Sequence, residues 1–167
     1  MTKNRILSAS HIDRILYRMA YEIWEQNFDA KRLLFIGVEP KGVKLLDSLE
    51  KKMAKINCPI PRVYNRFLVD KKNPKLHEEI VNEVGSFQDG DVVILVDDVL
   101  YTGRTLTHAM LPFVVHGFRK VQIAVLVFRD YLNFPVKPDY VGMDLASTSQ
   151  QHVEVVFDKN GLEAYLD

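Results

Sequence analysis

The residues with the clearest chemical purpose stand together in the middle of the chain. Asp97-Asp98 follows an unbroken apolar run, Val92-Val93-Ile94-Leu95-Val96, and after Val99-Leu100-Tyr101 comes Thr102-Gly103-Arg104-Thr105. A turn of that composition opening a helix offers backbone N–H groups, two hydroxyls and a helix N-terminus, which together favour a phosphate. The carboxylates cannot serve the same phosphate, because like charges repel. They need sugar hydroxyls, a divalent metal or a developing cation. Phosphate, diol and metal together describe a phosphorylated ribose. A paired Asp after a strand is by itself an ordinary turn, and Thr-Gly is common; the combination is what carries chemistry. The Gly-x-x-x-x-Gly-Lys-Ser/Thr pattern of nucleotide-triphosphate loops is absent.

In open α/β sheets, ligands bind beyond the carboxyl ends of strands, so these residues call for such a sheet. Ile12, Ile15, Leu16, Met19 and Ile23 recur at helical spacing behind Ser10 and Asp13, a capping box, and predict an amphipathic helix over residues 10–27. Leu33-Leu34-Phe35-Ile36, short and wholly apolar, suits a strand buried on both faces. Val43, Leu45, Leu46, Leu49 and Met53 mark a second helix that Pro59 and Pro61 stop. A strand from Arg62 to Val69 leads into a polar excursion over residues 70–91, with a short helix near 76–84. Beyond the Asp pair, the pattern predicts a helix over 105–116 interrupted near Pro112, a strand from Val121 to Phe128, and breaks at Pro135 and Pro138. Val153-Glu154-Val155-Val156-Phe157 is expected to close the sheet. Strands alternating with helices predict one α/β domain over residues 1–167, with a central, mostly parallel sheet.

Hydrophobic residues make up 47% and charged residues 26% of the chain, which excludes disordered and fibrous classes. Lys and Arg number 22 against 22 Asp and Glu, so a basic coat for nucleic acid or anionic membrane is not expected. Cys58 is alone and can form no internal disulfide, which suggests a reducing compartment. Neither a signal-type apolar core nor a run approaching the ~20 apolar residues of a membrane span is present. A cytoplasmic location is expected.

The thirteen residues from Val93 to Thr105 resemble the signature of type I phosphoribosyltransferases. The wording Asp-Asp-Val-Leu-Tyr-Thr-Gly-Arg-Thr is similar to the PyrR-type proteins, pyrimidine operon attenuators that are also uracil phosphoribosyltransferases. Ile12, Arg14, Leu16, Arg18, Ala20, Glu22 and Ile23 fit that family's first helix, and Val121 to Val127, Pro135 and Asp139-Tyr140-Val141-Gly142 fit its last third. The resemblance implies a central, mostly parallel sheet flanked by helices, a small hood and a flexible loop, here residues 70–91. It implies transfer of the phosphoribosyl group of phosphoribosyl pyrophosphate to a nucleobase, with uracil first in line, in a homodimer or higher homo-oligomer. Asp97 and Asp98 would hold the ribose hydroxyls and stabilise oxocarbenium-like charge, and Tyr101, Thr102, Gly103, Arg104 and Thr105 would form the 5′-phosphate site. Magnesium would bridge pyrophosphate and ribose oxygens with no direct protein ligand, a Lewis-acid role. Lys41 and Gly42 would face the pyrophosphate, and Phe128 and Arg129 the base.

Several positions depart from the family. Its pyrophosphate loop reads Gly-Ile-Lys-Thr-Arg-Gly, whereas this chain has Gly37-Val38-Glu39-Pro40-Lys41-Gly42. Lys41 keeps a charge but loses the bidentate fork, and Pro40 removes a hydroxyl and an N–H. Tyr101 and Phe128 stand where 6-oxopurine transferases carry an acid and a lysine. Phe128 packs in a core more readily than it stacks on a base. Tyr131-Leu132 replaces the attenuators' His-Arg pair, so RNA binding is not expected, although Arg14 and Arg18 remain to touch phosphates. His11 and His108 have no metal spacing between them. Two alternatives to a uracil enzyme stay open: a non-catalytic nucleotide-sensing regulator, and a 6-oxopurine phosphoribosyltransferase.

Overall fold

The computed structural model describes residues 3–69, 88–118, 120–146, 151–158 and 161–167. Among them the elements run β1 (Asn4–Leu7), α1 (Ala9–Gln26), β2 (Arg32–Val38), α2 (Lys41–Lys55), β3 (Arg62–Phe67), β4 (Asp91–Leu100), α3 (Arg104–Val115), β5 (Lys120–Phe128), β6 (Tyr140–Asp144), β7 (Val153–Asp158) and β8 (Gly161–Leu166). Five strands form a parallel sheet in the order β3-β2-β4-β5-β6. Helices α1 and α2 cover one face and α3 the other. Val92, Ile94 and Val96 of β4 pack with Leu16, Leu45 and Leu49, while Val93 and Leu95 pack with Leu106, Ala109 and Phe113. Two covered faces are why the run before the Asp pair has no polar residue.

Val153-Phe157 does not close this sheet. β7 pairs antiparallel with β8, which pairs antiparallel with β1, in a second sheet of order β1-β8-β7. The alternation of buried Val153 and Val155 with less buried Glu154 and Val156 marks a ribbon with one covered face, unlike the wholly buried central strands. The edge beside β5 goes instead to β6, whose Tyr140 hydroxyl accepts a 2.9 Å hydrogen bond from buried Asn27. Arg18 fastens α1 to β6: its Nη2 donates to the carbonyls of Val141 and Gly142 at 2.9 and 2.7 Å, and its Nη1 to Glu22 at 2.8 Å.

Other boundaries also move. Ser8 rather than Ser10 caps α1, accepting from the His11 amide at 3.4 Å, and Asp13 pairs with Lys52 across to α2. Helix α3 continues through Pro112, because a proline removes one amide and the carbonyls after it still bond, as His116 N–H does to Pro112 O at 3.1 Å. Of the loop expected over residues 70–91, residues 70–87 with the short helix lie outside the described residues, while Asp91 is buried and opens β4. No described helix is long and apolar enough to cross a membrane.

The end of the sheet away from the Asp pair is locked by charge. Arg32 on β2 meets Asp91 on β4 through Nη2–Oδ2 at 2.5 Å and Nε–Oδ1 at 3.2 Å, and the Gln88 amide donates to Oδ2 at 2.8 Å. Burial pushes the Asp91 carboxyl up, but hydrogen bonds from Arg32 and Gln88 outweigh it and hold it below its ordinary value. Its side chain is 1% exposed, so removing the guanidinium leaves an unpaired buried charge. Arg32→Ala should cost about 3–5 kcal/mol in urea unfolding. Because the folded value is depressed, the pair's stability is present above the ordinary carboxylate pKa of 3.8 and is lost as pH falls below it. A variant with wild-type stability at neutral pH would contradict this reading.

Candidate functional site

Strand β4 carries the Asp pair rather than ending before it. Its ladder with β5 continues through Asp97↔Val125, Val99↔Val127 and Leu100↔Phe128, because β5 is long enough to keep pairing. Successive side chains leave a strand on opposite sides, which separates two carboxylates that would otherwise repel. Asp98 is buried and turns to α2, where the Lys41 ammonium lies 3.8 Å from its Oδ2. Asp97 lines a cup above the start of α3, and its Oδ1 accepts the Asp98 amide at 2.9 Å.

Lys41 reaches Asp98 because the first turn of α2 lies directly on β4. A Cβ on Gly42 would stand 2.3 Å from the Val96 carbonyl oxygen and 3.0 Å from the Asp97 Cα. Both obstacles are backbone, so only glycine fits. The preceding loop is tied to β3 by the Glu39 amide donating to Phe67 O at 2.8 Å. Glu39 and Pro40 are exposed, and Pro40 occupies the helix's capping position with no side-chain hydrogen bond. The second sheet comes close here: hydrogen bonding and charge from Lys3 hold the Glu154 carboxyl below its usual range, and the charge of Lys41 adds to the effect.

The cup on the other side holds about 90 Å³ and is lined by Asp97 and residues 99–106. Gly103, at φ +82°, makes the turn and occupies the capping position of α3, again with no side-chain cap. Its carbonyl accepts the Thr107 amide and hydroxyl, each at 2.9 Å. Arg104 is exposed; Thr102 and Thr105 are half-buried. Neither Pro40 nor Gly103 caps its helix with a side chain, although the Arg104 amide meets the Thr102 hydroxyl at 3.4 Å, and the N-termini of α2 and α3 flank the Asp pair as seats for an anion.

The segment after β5 fixes the loop. The Asn133 and Phe134 amides donate to Thr102 O at 3.0 and 3.2 Å, and the Arg129 amide to Leu100 O at 2.9 Å. Arg129, 2% exposed, lays its guanidinium 4.2 Å from the Tyr101 ring centre, and Tyr101 stacks on Tyr131 at 5.4 Å. Phe128 packs half-buried against the α3-side core. Asn133 and Phe134 leave no signal in residue type, because they act through backbone amides. Tyr131 is an exposed aromatic in the divergent segment, and that was the available signal for it. His11 lies exposed on α1 and His108 half-buried on α3, neither in a metal cluster of the described residues.

The phosphoribosyl transferase domain matches residues 3–158. The chain belongs to the phosphoribosyltransferase family. Its curated relatives include the bifunctional protein PyrR of Thermoanaerobacter sp. (strain X514), 32% identical over 163 residues, which covers 94% of this chain and 92% of that protein. The same-named protein of Deinococcus deserti is 35% identical over 159 residues, with 92% and 87% covered. Among solved structures, a hypoxanthine-guanine phosphoribosyltransferase of Bacillus anthracis superposes with a TM-score of 0.71 over 99% of both chains at 14% identity. A hypoxanthine phosphoribosyltransferase of Trypanosoma cruzi in complex with the product IMP gives 0.65 at 16% identity, over 87% of this chain and 78% of that one. These structural likenesses establish the fold of the phosphoribosyltransferase.

In this chain the approach of α2 to β4 leaves no room for a side chain at Gly42. Gly42→Ala should lower stability by about 1–3 kcal/mol, because the clash is with backbone and no side chain can yield. Urea unfolding checks this; a curve superimposed on wild type would contradict the contact.

Proposed function

We propose that this phosphoribosyltransferase moves the phosphoribosyl group of phosphoribosyl pyrophosphate to uracil, forming UMP and pyrophosphate with magnesium as cofactor. The observation that carries the reading is the pair of helix N-termini, neither capped by the side chain of its capping residue, that flank Asp97-Asp98. A 5′-phosphate belongs on the residues 102–105 turn, ribose hydroxyls on the two carboxylates, and the leaving pyrophosphate beside Lys41 and Gly42. The C1′–O bond to pyrophosphate breaks, a C1′–N bond to the base forms, and the base gives up a proton. Asp97 and Asp98 supply negative charge where oxocarbenium character develops, and the fixed amides and Lys41 hold the anionic ends, so catalysis is positioning and electrostatics.

Magnesium usually binds through one or two carboxylates, water and substrate phosphates rather than a protein cage. Among the described residues no group of three or more His, Cys, Asp or Glu side chains gathers, while Asp97 and Asp98 offer two carboxylates beside an anion seat. They fit an ion brought by the substrate and held through water. Such an ion supplies Lewis-acid neutralisation of the leaving group.

Uracil is favoured over 6-oxopurines by the residues around the site. Tyr101 and Phe128 bring neither carboxylate nor ammonium to read a purine, and the PyrR relatives reach 32–35% identity. A site lacking the polar partners of a substrate commonly loses orders of magnitude in specificity. Turnover of each common base with phosphoribosyl pyrophosphate and magnesium tests this: uracil should exceed hypoxanthine and guanine by at least about a hundredfold in kcat/KM. Faster turnover of hypoxanthine would place the enzyme in the purine branch. Calorimetry on Asp97→Asn/Asp98→Asn should show much weaker binding of the magnesium–substrate complex, and unchanged affinity would remove the site assignment.

A second reading, a nucleotide-sensing regulator without turnover, is favoured by Glu39-Pro40, which puts an exposed carboxylate and a missing N–H at the pyrophosphate seat. It predicts nucleotide binding with no turnover of any base. Strong RNA binding is not expected under either reading, since the Arg18 guanidinium is committed to Val141, Gly142 and Glu22. Filter binding to a pyrimidine-operon leader hairpin should match a scrambled control; nanomolar affinity for the leader alone would overturn that.

A further inference from the structure

A second cleft lies between the start of α1, the last turns of α2 and the start of β8, and the chemistry above makes no use of it. It encloses about 320 Å³. Helix α2 joins the two places, with Lys41 and Gly42 at its first turn and this cleft along its last two turns, roughly 15 Å apart along the axis. Ile12, Leu16 and Leu162 make the floor apolar. Lys51, Lys52 and Lys55 stand around it, and Asp13 is the one carboxylate among the described lining residues. Three ammonium groups against one carboxylate leave positive charge in excess.

Lys52 is the unusual member. Its side chain is only 9% exposed, although lysine is almost never buried without a partner, and that partner, Asp13, is 54% exposed. The Lys52 ammonium also sits 4.3 Å from the Tyr17 ring centre, and that of Lys55 sits 6.0 Å from the same ring. One aromatic ring and one half-exposed carboxylate are shared among cations that repel at helical spacing. Lysines near a helix C-terminus are favoured by its dipole, which accounts for their presence on the last turns of α2. The ion pair with Asp13 and the Tyr17 ring hold Lys52 in its buried place, which leaves Lys51 and Lys55 as the exposed cations beside this concave, apolar-floored cleft. A dianion there would relieve the repulsion and meet donors on several sides.

We propose that this cleft is a second ligand site for a small phosphate monoester, with the phosphate on the lysines and the organic part on the apolar floor. The proposal is independent of the catalytic reading. Backbone-amide NMR titrations with UMP, ribose 5-phosphate, inorganic phosphate and uridine test it, read at Ser48 and Gly161 for the cleft and at residues 102–105 for the first site. UMP and ribose 5-phosphate should shift Ser48 and Gly161 saturably, inorganic phosphate more weakly, and uridine not at all. In Lys51→Gln/Lys55→Gln, whose replaced side chains are exposed, affinity at the cleft should fall at least about tenfold while residues 102–105 respond as before. Asp97→Asn/Asp98→Asn should leave the cleft response intact, so failure of one site is distinguishable from failure of the other. No saturable shift at Ser48 and Gly161, an equal response in the lysine variant, or equal shifts with chloride and phosphate would overturn the site.

Discussion

Everything at the site depends on the absence of a side chain at Gly42. With the Val96 carbonyl 2.3 Å from where a Cβ would stand, α2 rests on the backbone of β4 immediately before the Asp pair. That contact decides where the α2 N-terminus points and brings Lys41 to 3.8 Å from Asp98. On the opposite side, Gly103 at φ +82° turns the chain sharply enough for α3 to begin beside the same strand end. Two helices thus begin beside one pair of carboxylates. The sheet makes this possible because its central strand is apolar on both faces and holds its position under packing from both sides.

Charge is managed by separation and local pairing. Two adjacent carboxylates at a buried strand end would repel, yet strand geometry sends them to different sides, and the Asp98 amide satisfies one oxygen of Asp97. Asp98 is the more buried, and the Lys41 ammonium lies beside it. Lys41 gives that cation as a point charge on a flexible stem, with less directional hold on an anion than a guanidinium fork. The Arg129 guanidinium lies on Tyr101, where it stiffens the wall of the cup.

The sequence announced the parts of this design that repeat with a period or cluster in a line. The apolar run of β4, the spacing along α1 and α2, and the Asp-Asp and Thr-Gly-Arg-Thr elements could be read directly, as could the family. What escaped it was pairing between distant segments. β1, β6 and β8 are short and draw their identity from partners far away in sequence, so Val153-Phe157 was expected in the wrong sheet. Ser8 and Ser10 are equivalent capping residues by type; with Ser8 as the cap, His11 takes the position three residues on and Asp13 is left to pair with Lys52. The hold of Asn133 and Phe134 on Thr102 is made by main-chain amides, which leave no mark on residue type. Arg18 looks like a free basic residue in the sequence and is a fastener in the fold.

The most direct test of the account is a crystal structure of the protein with UMP bound. The account predicts the 5′-phosphate within hydrogen-bonding distance of the amides of residues 102–105 and the ribose hydroxyls on Asp97 and Asp98, with the α2 N-terminus left open for pyrophosphate. A nucleotide bound in any other orientation at this strand end, or leaving the Thr102–Thr105 amides without a phosphate, would contradict it.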